Sequence, residues 1–299
     1  MIRTLGIETS CDETAVAVLS ADGRVEVNLL SSQVAAHAPF GGVVPELASR
    51  EHLKALPLLV EQALAAAVAP PGAVAVTTSP GLIGALLVGV RFAAAFAWAR
   101  GLPLVAVDHL DGHLVSPLLH LDGRPADPIP EPTLALVASG GHSAWYRIDG
   151  RGGSERLGRT RDDAAGESFD KVAQALGLPY PGGPVVDRLA RRGDSRAVPL
   201  PRPRLDGAPF DFSFSGLKSA AIRWIDRHRL APTDEASASG GVCDLLASFE
   251  AAVVDQLLAP LPELVERHRP ELIAASGGVA ANTSLRARRV HPPVALPAL

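Results

Sequence analysis

Apolar residues in this chain gather into short runs, and most runs end in a turn carrying glycine, an acid or a hydroxyl. Residues 2–8 and 15–19 read as strands joined by a polar turn at 9–14, and 25–32 follows as a third strand. Three strands in succession predict a mixed sheet instead of a simple βαβ start. Residues 51–67 carry helical periodicity through Leu53, Leu56, Leu59, Val60 and Ala63, with Pro57 expected to disturb the early turns. A strand at 72–77 leads through Ser79, Pro80 and Gly81 into a small-residue helix at about 82–99. That helix is the most membrane-like stretch, but Arg91 interrupts it, so it reads as a buried helix of a soluble protein. A strand at 104–107 precedes a helix bearing His109 and His113. The main lobe boundary is expected there, giving lobes of 1–107 and 108–299.

The order strand, polar turn, strand recurs in the second half. Residues 133–138 end at Ser139, Gly140, Gly141 and His142, and 143–148 reads as the hairpin partner. Helices are expected at 164–176, from Val185, at 215–228 and at 242–258, with a proline-rich loop at 196–212. A short strand at 272–275 runs into Ser276, Gly277 and Gly278, and a helix begins at Asn282. The stretch from His291 supplies no closing element, so the C-terminal lobe is expected to be incomplete at its end.

With 47% hydrophobic residues over 299 positions, the chain can bury two domain cores. A formal net charge of −4 argues against a globally cationic nucleic-acid binder and leaves room for a local basic surface. Cys11 and Cys243 make no disulfide framework, and the first residues form a strand instead of a signal peptide. A cytoplasmic protein without membrane attachment is expected.

His109 and His113 are four residues apart. On a helix both imidazoles share one face and can hold a divalent ion, iron or zinc; a surface or capping pair is the plain alternative. No glutamate follows His109, so the general base of a zinc protease is missing. The glycines at 140–141 and 277–278 let backbone amides approach phosphate, or simply make tight turns. Neither loop matches G-x-x-x-x-G-K-[ST], which disfavours a P-loop phosphotransferase. Asn282 is a candidate partner for a ribose or base. The acids Glu8, Asp12 and Glu13 either manage a metal and nucleophile, orient an incoming amine, or cap a hairpin. Asp162 and Asp163 read as helix caps, and Ser215 as the cap of its own helix. Lys218 either neutralises an anion or faces water. His37 and His52 read as structural or substrate-guiding.

Taken in order, these motifs resemble one family. They are GIETSCDET at 6–14, PGLIG at 80–84, HLDGH at 109–113, SGGH at 139–142 and DDAAGESFDK at 162–171. YPGGP at 180–184, DFSFSGLK at 211–218 and GGVAAN at 277–282 complete the set. The chain resembles, over essentially its whole length, the bacterial tRNA threonylcarbamoyladenosine transferases (the TsaD or Gcp family, once described as O-sialoglycoprotein endopeptidases). The resemblance implies a two-lobed α/β fold of the actin-like, Hsp70-like and sugar-kinase-like (ASKHA) kind. It implies transfer of the threonylcarbamoyl group from L-threonylcarbamoyl-AMP to N6 of adenosine 37 in tRNAs reading ANN codons, with release of AMP. It also implies one divalent metal per subunit, Fe(2+) first and Zn(2+) as the alternative, with His109 and His113 as ligands. Substrate-binding positions carry over to Val137, Ala138, Ser139, Gly140, Gly141, Asp170, Gly183, Asp187 and Asn282. Glu8 and Asp12 stand in the first acidic turn, where one of them would orient the amine. The implied partners are tRNA, TsaB-like and TsaE-like proteins, and a TsaC-like enzyme supplying the adenylate.

Two departures from the family pattern stand out. Ser79 occupies a position where the family usually has glycine. The family's third metal ligand, an aspartate in an Asp–Asn–Ala–Ala segment, is not found before Leu299, and His291 is not an obvious substitute. Two other readings stay open: an ATPase or small-molecule kinase on the same fold, and a catalytically impaired scaffold subunit of the tRNA-modifying complex.

Overall fold

The computed structural model describes residues 2–288 and 294–295. The chain divides into two compact units that meet in sequence at Pro128 and Ile129.

In the first unit β1 (Thr4–Glu8), β2 (Glu13–Leu19) and β3 (Val25–Ser32) form an antiparallel meander. The short turn α1 (Val34–His37) leads to α2 (Pro45–Ala66), β4 (Ala73–Ser79), α3 (Ile83–Arg100), β5 (Leu104–Asp108) and α4 (His109–Val115). The sheet order is β3-β2-β1-β4-β5, with β1, β4 and β5 parallel. Alternate residues Leu5, Ile7, Val16, Val18, Val74 and Val76 meet Leu56, Val60 and Ala63 of α2 and Ala93 and Ala97 of α3 in one core. The period of two in the strands thus meets the period of 3.6 in the helices, as burial on one sheet face requires.

Three expectations change here. The boundary expected after residue 107 falls at Pro128. β5 pairs with β4 in the first sheet, and Asp108 both ends β5 and caps α4 by accepting from the Leu110 amide at 2.8 Å. His109 and His113 therefore belong to the first unit. Helix α2 begins at Pro45 and runs unbroken through Pro57. Pro45 suits the first turn, where no amide bond is lost. Pro57 removes the bond to the Leu53 carbonyl, and Leu53, expected in the core, faces solvent at 62% exposure, so water can serve that carbonyl. Helix α3 is not a buried helix. Its small residues Ala85, Gly89, Ala93 and Ala97 face inward, while Ile83, Leu87 and Trp98 are exposed. Among the described residues it is the one helix long and apolar enough to cross a membrane.

The second unit repeats the plan. It contains β6 (Thr133–Ala138), β7 (Ser143–Ile148), β8 (Ser154–Arg159), α5 (Ala165–Ala175), α6 (Gly182–Ala190) and α7 (Ser215–His228). After these come α8 (Gly240–Leu258), α9 (Leu261–His268), β9 (Leu272–Ser276), α10 (Thr283–Ala287) and β10 (Val294–Ala295). The sheet order β10-β9-β6-β7-β8 copies the first, with β6 and β7 antiparallel and β6, β9 and β10 parallel. Its core packs Phe169 against Phe249 edge to face at 5.5 Å, and the buried Trp145 donates Nε1–H to the Leu257 carbonyl at 3.0 Å. β8 is an edge strand rich in charge, which hid it from the apolar pattern. Apart from β10, the stretch expected to lack a closing element, His291 included, lies outside the described residues.

Candidate active site

The first acidic turn is built around Glu8, the last residue of β1. Its Oε1 accepts from the Ser10 amide at 2.5 Å, and its Oε2 accepts from the Thr77 hydroxyl at 2.5 Å. Oε2 also lies 3.2 Å from Nδ1 of His109, which sits 3.2 Å from the Ser10 hydroxyl as well. Burial pushes the Glu8 carboxyl up, but hydrogen bonds from His109, Ser10 and Thr77 outweigh it and hold the group at about 2. An ionised Glu8 can only accept, so Nδ1 of His109 carries the proton in this contact. His113, one turn along α4, sets its ring edge-on to that of His109 with centroids 4.6 Å apart.

Close packing fixes this turn. The Ser10 carbonyl accepts from the Leu82 amide at 2.8 Å, and a Cβ on Gly81 would come within 2.6 Å of that same carbonyl. Thr9 donates to the Ala85 carbonyl at 2.9 Å, and Gly89 has no Cβ because Thr9 occupies that space. Behind the turn lies a polar knot with no solvent exposure at His37, His52 or Thr14. His52 has Nε2 2.9 Å from the Cys11 carbonyl and Nδ1 2.7 Å from the Thr14 hydroxyl, while Gln33 bridges to His37 at 3.1 Å. Burial pushes the His52 imidazole down, so it stays neutral. The two histidines are structural. Burial, followed by the Asp12 carboxylate, pushes the Cys11 thiol up to about 12, which removes it as a nucleophile.

In the second unit, residues 139–142 close a tight turn: the Ser139 amide donates to the His142 carbonyl at 2.7 Å, and the His142 amide to the Ser139 hydroxyl at 3.0 Å. A Cβ at Gly140 or Gly141 would meet nothing within 4 Å, so this stretch of backbone faces open space. Two further glycines hold the turn from behind. A Cβ on Gly166 would come within 2.6 Å of the Ser139 carbonyl. Gly277 has φ +88, and a Cβ there would strike the Ala138 carbonyl.

Asp170 accepts from the Gly182 amide at 2.7 Å and so tethers the start of α6, where Gly183 again opens to space. Asp187 takes the Thr283 amide at 2.8 Å, the Thr283 hydroxyl at 2.6 Å and Arg191 at 2.5 Å. Asn282 donates to Asp187 at 3.2 Å and to Glu250 at 2.6 Å, and its carbonyl caps α10 through the Leu285 amide at 2.9 Å. Both amide hydrogens of Asn282 are committed inside the protein, which leaves only carbonyl capacity for a ribose or base.

A family model described as TsaD: tRNA N6-adenosine threonylcarbamoyltransferase matches residues 24–298. The tRNA N6-adenosine threonylcarbamoyltransferase of Pelobacter propionicus is 49% identical over 286 residues, covering 94% of this chain and 81% of that protein. The enzyme of the same description from Sorangium cellulosum is 49% identical over 298 residues, covering 96% and 82%. The chain belongs to this family. The fold is the ASKHA fold, as the repeated strand order indicates. The solved (R)-2-hydroxyglutaryl-CoA dehydratase component A of Acidaminococcus fermentans shares it at TM-score 0.50 and 14% identity, over 96% of this chain and 86% of that one.

Within this TsaD-family chain, the first unit brings together Glu8, Ser10, His109 and His113, with Asp12 in the same turn. The second unit brings together residues 137–141, 166 and 277, and separately Asp187 with Asn282. Sequence reasoning missed Thr77, a strand-end hydroxyl with no distinguishing signal. It also missed Glu250, whose signal was an acid inside the apolar run of α8. Asp162 does act as a cap, but of α7: it accepts from the Phe214 amide at 2.8 Å and the Ser215 amide at 3.2 Å. Ser215, expected to cap that helix, does not. Lys218 pairs with Asp163, which answers the open question about its role.

Proposed function

We propose that this chain forms threonylcarbamoyladenosine on tRNA, and assign handling of the amine and the metal to the Glu8, Asp12, His109 and His113 group of its first unit. In the reaction, N6 of adenosine 37 attacks the carbamoyl carbon of L-threonylcarbamoyl-AMP. The new C–N bond forms, the bond from that carbon to the phosphate oxygen breaks, one proton leaves the amine and AMP departs. The leaving group is already activated, so neither a Walker lysine nor phosphoryl transfer is required.

The observation that carries the site assignment is the Glu8 to His109 contact of 3.2 Å. A carboxylate on one imidazole nitrogen fixes the ring and makes the other nitrogen a better donor. Glu8 thus sets His109, and Asp12 is assigned to orient the incoming amine. Open backbone at Gly140 and Gly141 suits the AMP phosphate, because amides there can stabilise charge as it develops on the leaving oxygen. Val137, Ala138 and Ser139 carry this turn. Asp170, Gly183, Asp187 and Asn282 shape the floor on which the adenylate would rest.

Among the described residues no group of three His, Cys, Asp or Glu side chains is placed to hold a metal. The donors at hand are the two neighbouring imidazoles, which fit iron or zinc as two ligands of a larger set. A divalent ion held there would polarise the carbamoyl group as a Lewis acid. Partner proteins of the TsaB and TsaE kind are favoured by the exposed apolar residues Ile83, Leu87 and Trp98 of α3. The cytoplasm is the compartment this substrate requires.

The test is a reconstituted reaction with the adenylate, unmodified tRNA and TsaB-like and TsaE-like proteins, read by mass of the released nucleosides. Modified adenosine with one AMP per adduct supports the reading. ATP hydrolysis without adduct would move the assignment to an ATPase on this fold, and partner binding without either would leave a scaffold.

A further inference from the structure

Outside the groups described above, the second unit holds a cavity of about 450 Å³ at the β8 edge of its sheet. Its walls come from β8, the loop at 207–211 and the end of α9. Leu157 and Phe210 supply apolar surface, and the polar lining is Arg156, Arg161, Arg267 and His268 with the carboxylates of Glu155 and Asp211. None of these residues serves the site assigned above.

The charges in this cavity are not balanced. Asp211 is occupied by Arg161 and by the Arg159 amide at 2.8 Å, and Glu155 pairs with Arg147 at 3.4 Å. Arg156 and Arg267 have no carboxylate partner among the described residues. Arg267 lies 6.0 Å over the Phe210 ring, which orients its guanidinium. His268 has a buried Nε2 with no hydrogen-bond partner among the described residues. A buried ring nitrogen without a partner is costly, and a ligand bound in the cavity would supply one. Two unmatched guanidiniums are donors only, and the Nε2 of His268 can add a third donor in one of its tautomers, so together they suit an anion with several acceptor oxygens.

We propose that this cavity binds a phosphodiester of the tRNA backbone. The proposal rests on tRNA being the substrate. A chain of net charge −4 must hold a polyanion through local basic features, and contacts to phosphate position RNA without reading its sequence. The volume exceeds that of one phosphate group.

The test is titration of fluorescently labelled, unmodified tRNA with the full chain, alone and with its TsaB-like and TsaE-like partners, over a series of salt concentrations. Arg156→Ala and Arg267→Ala are each expected to weaken binding about 3–10-fold and lower the salt slope by roughly 0.7–0.9. Arg156→Lys should keep the slope. Both arginines are exposed, so folding is preserved. Unchanged affinity and slope in both alanine variants overturns the proposal, as does absence of wild-type binding under both conditions. Inorganic phosphate is titrated in parallel. If both alanine variants lose phosphate binding and keep tRNA binding, the cavity is a small-anion site and the proposal falls. Because the readout is binding, a chain that holds tRNA through these residues but transfers nothing sinks the transferase reading and leaves this one standing.

Discussion

Glu8 and His109 stand 101 positions apart in the chain, yet the carboxylate and the imidazole Nδ1 lie 3.2 Å from one another. The end of β1 and the start of α4 meet because β4 and β5 extend the sheet in parallel from β1, which brings the strand ends to one side. The same contact places a proton on His109 Nδ1 and fixes its ring edge-on to that of His113.

The metal role proposed for His109 and His113 predicts metal content. His109→Ala and His113→Ala are each expected to lose the bound divalent ion on dialysis against buffered iron or zinc. Glu8→Gln should weaken metal affinity about 10–100-fold, the usual effect of removing the group that orients a ligating histidine. Elemental analysis at matched free metal decides it, and equal metal in all four proteins would refute the assignment.

Gly166 tests the turn at 139–142 that is proposed to hold the phosphate. A Cβ there would come within 2.6 Å of the Ser139 carbonyl and 2.8 Å of the Gly140 amide nitrogen, both backbone atoms that cannot rotate away. Gly166→Ala should cost about 1–3 kcal/mol in urea unfolding and raise KM for the adenylate more than KM for tRNA. Gly183→Ala, where a Cβ meets nothing, should leave stability within about 0.5 kcal/mol.

Asp187 predicts how stability depends on acid. Burial pushes its carboxyl up, but hydrogen bonds from Thr283 and Arg191 outweigh it and hold the group below its ordinary 3.8. A carboxylate lowered in the folded state contributes stability above the unfolded pKa and loses it as pH falls through the folded one. Asp187→Asn should therefore be less stable than wild type at pH 6, and the gap should close below pH 3.8. Urea midpoints between pH 2 and pH 6 measure this. A gap independent of pH would show that the ionised carboxylate is not what Thr283 and Arg191 recognise.

Trp98 is 86% exposed and Leu87 49% exposed on the outer face of α3. Leu87→Glu should abolish co-purification with a TsaB-like partner while the thermal midpoint of the isolated chain stays within a few degrees. Retained association would move the partner surface elsewhere.

Much of this was legible in the residues. The i, i+4 spacing of His109 and His113 gave one helical face, and the acidic turn at 8–14 stood out between two alternating strands. What Glu8 does was not legible, because its partners Thr77 and His109 come from distant elements joined only through sheet pairing. The lobe boundary was misread for the same reason: nothing local in 104–108 reveals that it pairs with β4. The polarity of α3 was misread because its small residues, not its large ones, face the sheet. Asn282 looked like a ligand group from its place after a glycine turn, and the buried acids Asp187 and Glu250 that claim its amide lie 95 and 32 positions away.

Acyl transfer is the role proposed for the first acidic turn and its histidine. Single-turnover transfer of radiolabelled threonylcarbamate from the adenylate to unmodified tRNA tests it most directly, comparing wild type with Glu8→Gln and Asp12→Asn at saturating substrates. Wild type should yield one adduct per AMP released, and both substitutions should slow that step by about 10-fold or more without changing tRNA affinity. Equal single-turnover rates in all three proteins would contradict the account.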